Sequence, residues 1–165
     1  MLFFIHLESR RVEIAGITPH ANEAWMKQIA RNVTMDEWGF LESRRYLIHD
    51  RDTKFTDSFR LIVKSGHVEP LKLPARSPNL NAYAERWVKS VKYECLSKLI
   101  LFGEKSLRRA LCEYLLHFHT ERNHQGKDNI LLFPVATKAG NCAGRSVNCK
   151  ERMGGLLKYY HREAA

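Results

Sequence analysis

Three observations predict a mixed α/β fold. Short apolar runs of strand length alternate with segments whose apolar residues recur at helical spacing. The order begins with strands and then alternates helix and strand, which favours a mixed sheet flanked by helices. The 165 residues are 44% hydrophobic and 27% charged, the balance of one globular domain or of a domain with a tail.

The elements follow in order. Leu2–Leu7 is apolar, and Arg11–Ile17 alternates charge with Val12, Ile14 and Ile17. Glu8-Ser9-Arg10 can turn between them, so the two runs predict a β-hairpin. Trp25, Met26, Ile29, Ala30 and Val33 then mark a helix, with Asn22 as its N-cap. Tyr46-Leu47-Ile48-His49-Asp50 is a short β-rich run that ends on charge. Phe59, Ile62 and Val63 mark a second helix, closed by Gly66 as a C-cap glycine. Val68 to Leu73 is a further strand, leading through Pro74-Ala75-Arg76-Ser77-Pro78 into a long helix from about Asn81 to Leu99. The last clear helix spans about Ser106 to His119, with Leu107, Leu111, Tyr114, Leu115 and Phe118 on its inner side. Trp25 and Tyr114 are expected in the core.

After Pro134 the pattern thins, and Gly140, Gly144, Gly154 and Gly155 interrupt it. The expected division is a core over residues 1–137 and a basic tail over 138–165, which carries six Lys/Arg against two Glu. That tail ends in an amphipathic piece, Leu156 to Tyr160, and packing on the domain is an equal alternative.

Charge points to a partner class. The 27 Lys+Arg against 18 Asp+Glu give a net charge of +9, which favours phosphate-bearing partners. No run approaches the roughly 18 apolar residues that span a bilayer, and Met1-Leu-Phe-Phe-Ile lacks the basic flank of a signal peptide. Cysteines 95, 112, 142 and 149 form no Cys-x-x-Cys pair, so a reducing cytoplasm is the expected location. His117, His119 and His124 lack cysteines at zinc spacing.

Two acids stand out. Asp50 falls at the C-terminal end of a predicted strand, where α/β sheets present ligand-binding groups. Glu85 falls in the first turn of the long helix. At 100° per residue, Lys89 and Lys92 lie within about 40° of Glu85, beside a stripe of Ala84, Val88, Val91 and Cys95. Such carboxylates can share divalent cations, since Mg²⁺ prefers oxygen ligands. The plainer alternatives are an i,i+4 pair of Glu85 with Lys89 and a loop cap at Asp50.

Three strings shift that balance: Ile48-His-Asp-Arg-Asp-Thr-Lys-Phe55, Ser77-Pro-Asn-Leu-Asn-Ala-Tyr-Ala-Glu85-Arg-Trp, and Glu121-Arg-Asn-His-Gln-Gly126. In this order they resemble the integrase catalytic core, the Asp-Asp-Glu family of retroviral integrases and bacterial insertion-sequence transposases, over roughly residues 2–134. The resemblance implies a ribonuclease H-like mixed sheet of five strands flanked by helices. It also implies metal-dependent DNA cleavage and strand transfer, with DNA as partner and a homo-oligomer assembled on it. Aligned on Phe55, the family's second Asp is Asp50, and its Glu is Glu85; 34 residues separate them, close to the family spacing. Asp52 stands where the family often has Gly.

The family's first Asp belongs to an opening strand before the hairpin, and no Asp precedes Asp36 here. The expected chain is therefore a core without its first strand and first metal ligand. Asp50 and Glu85 are the expected catalytic and metal residues, with Mg²⁺ or Mn²⁺ as cofactor. Arg76, Asn81, Lys89 and Lys92 are the expected DNA contacts. The alternative is a catalytically inactive DNA-binding remnant of a transposase.

Overall fold

A computed structural model describes residues 1–134 and 146–162. They form a mixed α/β protein with two compact units. The first holds residues 1–6 and 12–85; the second holds 86–165 with the short segment 7–11.

In the first unit, β1 (Leu2–Ile5) and β2 (Val12–Gly16) pair antiparallel, as the alternating runs predict. Leu2 and Phe4 point into the core, while Phe3 and Ile5 are half-buried on the other side. Helix α1 (Glu23–Val33) starts where Asn22 accepts a hydrogen bond from Trp25 N–H at 2.9 Å. Its Met26, Ile29, Ala30 and Val33 recur on one buried face. Strand β3 (Tyr46–His49) and strand β4 (Glu69–Lys72) are parallel, with α2 (Asp57–Ser65) as the crossover that a parallel pair requires. Thr56 caps α2 through its hydroxyl, and Phe59 and Val63 are fully buried. One core joins these elements through Leu2, Phe4, Met26, Phe59, Val63 and Val68, with Leu47 from β3.

The strands pair two by two. One mixed sheet was expected; the described residues instead form three two-stranded sheets, β1 with β2, β3 with β4, and the pair β5–β6 of the second unit.

The second unit begins within α3 (Ala82–Glu94), which buries Trp87 and Val91. The helix stops about five residues before the expected Leu99, and a 3₁₀ turn covers Leu96–Lys98. Helix α4 (Gly103–Thr120) buries Leu111, Tyr114 and Phe118 as expected, and Trp87 packs edge-on to Phe118 at 4.8 Å. The expected tail contains an antiparallel ribbon, β5 (Val147–Arg152) and β6 (Leu157–Arg162). Met153, Gly154 and Gly155 all have positive φ, so the two glycines make the turn of the ribbon. Arg152 anchors the ribbon to α4 and the residue after it, with ion pairs to Glu113 at 2.7 Å and Glu121 at 2.6 Å. Residues 140, 142 and 144, named above in the tail, lie outside the described residues.

Candidate functional site

The loop after β3 is built by its own side chains. Asp50 Oδ1 accepts from Asp52 N–H at 3.1 Å, and Asp52 Oδ1 accepts from Lys54 N–H at 3.0 Å. These are successive Asx turns, the local bonding that Asp favours over regular structure. Phe55 then turns inward, 4.8 Å from the His49 ring and 5.4 Å from Phe59.

The two acids of this loop differ in their electrostatics. Asp52 is paired with Lys54 at 2.5 Å, and hydrogen bonds from Lys54 hold its carboxyl below the usual range. Asp50 is exposed and pairs with no cation among the described residues. An unneutralised carboxylate at a strand end can receive a metal ion or a cationic ligand at no cost in broken ion pairs.

Glu85 sits in the first turn of α3, behind the 3₁₀ turn Pro78–Asn81. The N-terminal end of a helix favours a negative charge there. Glu85 is exposed, and it pairs with neither Lys89 nor any other cation among the described residues. The i,i+4 alternative is therefore not the arrangement adopted. Lys89 and Lys92 extend along α3 and are exposed. Arg76 is exposed in the preceding loop at φ 56°, and Asn81 is half-buried at the helix start.

Chemically, Asp50 and Glu85 offer hard carboxylate oxygens, the donor type of Mg²⁺ and Mn²⁺. No group of three or more His, Cys, Asp or Glu gathers to hold a metal among the described residues. Mg²⁺ tolerates a sparse protein set, taking one or two carboxylates and completing its octahedron with water and substrate phosphate. The donor chemistry thus fits such an ion in company with a phosphate ligand.

Sequence reasoning passed over His49. It is 5% exposed, and its Nδ1–H donates to the carbonyl of Asp50 at 2.7 Å. Burial is the main reason its pKa falls below the ordinary histidine value. The signal was available: in period-two alternation Leu47 and His49 share the inward face, directly before Asp50. His117, His119 and His124 of the second unit are engaged locally. His117 Nδ1 lies 3.2 Å from Glu121, His124 Nε2–H donates to the Phe118 carbonyl at 2.8 Å, and His119 meets the Phe133 ring at 5.4 Å.

No helix among the described residues is long and apolar enough to cross a membrane. Comparison with protein-family models, curated proteins and solved structures finds no match for this chain.

Proposed function

We propose that the chain is an integrase-type transposase core of ribonuclease H-like architecture that binds DNA and takes part in its metal-dependent cleavage and strand transfer. The observation that carries this reading is the order and pairing of elements around two unneutralised acids. A hairpin and helix are followed by a parallel β3–α2–β4 unit, with Asp50 just past β3 and Glu85 opening the next helix.

In this reading Asp50 and Glu85 are the residues that would hold Mg²⁺ or Mn²⁺. The ion, when bound, supplies charge neutralisation at the phosphate under attack. The chain's own residues do the rest. Arg76, Lys89 and Lys92 bind backbone phosphates, fixing the strand without reading its sequence. Asn81, half-buried at the start of α3, contacts the DNA alongside them. The net charge of +9 favours the first encounter with DNA; a homo-oligomer assembled on that DNA is what the resemblance implies.

The test uses the native full-length protein and duplex DNA carrying its element's ends, with Mn²⁺. Asp50→Asn and Glu85→Gln should each lower strand joining at least a hundredfold while leaving duplex affinity within about threefold. Joining that survives both changes overturns the assignment. DNA binding with no joining by the unaltered protein selects the remnant reading instead.

A further inference from the structure

We infer that His49 is a positioning residue for Asp50: its Nδ1–H holds the Asp50 carbonyl and so sets the direction in which the Asp50 carboxylate leaves the strand. This rests on the reading of Asp50 as a metal ligand and adds a role for a residue outside the ligand pair.

The argument starts from what the position costs. His49 occupies an inward place on β3, one pleat beyond Leu47, with its ring against Phe55 at 4.8 Å. Its Nε2 is buried and has no hydrogen-bond partner among the described residues. A buried nitrogen left in that state has lost its hydration without replacement, which is unfavourable. An aliphatic side chain would fill the same place without that penalty. What a histidine adds is the bond at Nδ1. Because a carbonyl only accepts, Nδ1 must carry the proton, so the neutral ring is the Nδ1–H tautomer.

That bond falls on the residue that needs direction. Asp50 is the first residue beyond β3 and has left the ladder that orients its neighbours. Among the described residues, two hydrogen bonds hold it. His49 holds its carbonyl, and Asp52 N–H holds its Oδ1 at 3.1 Å. One restrains the peptide plane after Asp50 and the other restrains the side chain. With the first removed, the carboxylate is held by the Asx turn alone, and its second oxygen is free to swing. Partners that orient a metal ligand from behind are worth about tenfold or more in affinity.

The experiment compares two replacements of like shape to each other in the full chain. His49→Asn keeps an N–H close to the Nδ1 position, whereas His49→Leu keeps the packing on Phe55 and removes the donor. Mn²⁺ binding is read from the loss of the free-ion electron paramagnetic resonance signal, and unfolding midpoints are measured without metal. The expected result is Mn²⁺ affinity about tenfold weaker in His49→Leu and within about threefold of the parent in His49→Asn. Equal affinity in parent and His49→Leu, or equal weakening in both variants, overturns the proposal. Nitrogen-15 NMR of the unaltered, metal-free protein gives a second reading that needs no variant to fold. It should show the Nδ1–H tautomer at His49, and the Nε2–H tautomer overturns the inference. Asp50→Asn separates the two levels: unchanged Mn²⁺ binding there refutes the metal-ligand reading, while the tautomer still reports on His49.

Discussion

Arg152 and Glu121 are both buried, lie 31 residues apart in sequence and meet through two hydrogen bonds of 2.6 and 2.8 Å. Glu121 also takes Lys150 at 3.1 Å and His117 at 3.2 Å, and the Arg152 hydrogen bonds lead the causes that draw its carboxyl down to about 2. Removing one member leaves a buried charge with fewer partners. Arg152→Met should therefore destabilise the chain by roughly 3 kcal/mol in urea unfolding. The same group gives a pH dependence. A carboxyl held below its unfolded value of 4.5 contributes stability that is complete above pH 4.5 and is lost as pH falls toward 2. His119 acts earlier in an acid titration. Burial is the first cause that draws it from 6.5 to about 4, so the unfolded chain takes its proton first and stability declines between those values. His119→Phe should flatten the stability profile between pH 6.5 and 4 while leaving the lower step from Glu121 in place. A profile unchanged by that substitution would remove His119 from the account.

At the scale of elements, Gly66 separates two reasons for one residue. A glycine closing a helix predicts a left-handed cap, yet Gly66 has φ −85° and needs no such freedom. A Cβ there would instead meet the Thr34 Cβ at 2.6 Å, so glycine is required by the close approach of the ends of α1 and α2. Gly66→Ala should cost about 1–3 kcal/mol, and Thr34→Gly should restore part of it in the double variant. Additive losses would show that the two sites do not clash. Asn22 follows its local rule: Asn22→Ala should cost about 1 kcal/mol and Asn22→Asp much less. The early end of α3 has no local rule behind it. Nothing in Cys95 to Leu99 forbids a helix, but Cys95 is fully buried, its Sγ 3.8 Å from the Ala110 carbonyl and from Met153 Sδ. Packing against residues far along the chain ends the helix there.

For the whole molecule, charge makes the most direct prediction. The three phosphate contacts proposed for Arg76, Lys89 and Lys92 would give a slope of log affinity on log salt of about −2.7. Duplex binding should then fall about fortyfold between 50 and 200 mM salt. Lys89→Gln with Lys92→Gln should make the slope shallower by about two, which fluorescence anisotropy can measure. A slope that the double change leaves unaltered would place the DNA on another face.

The sequence alone determined what depends on near neighbours. The Asn22 cap, the first hairpin and the buried faces of α1 and α4 follow from side chains within a few residues of one another. The placement of Asp50 past a strand and of Glu85 in a first helical turn was legible for the same reason. Other features required the fold. In sequence, glycines 154 and 155 mark only breaks in a tail; the pairing of β5 with β6 makes them the turn of a ribbon. The buried cluster of Arg152, Glu113 and Glu121, the cost of a side chain at Gly66 and the unpaired Nε2 of His49 each depend on groups brought together from distant positions. Local hydrogen bonding and periodicity act over a helical turn and leave a mark in sequence. Desolvation, close contact and ion pairing depend on which distant atoms share a volume, and tertiary packing decides that.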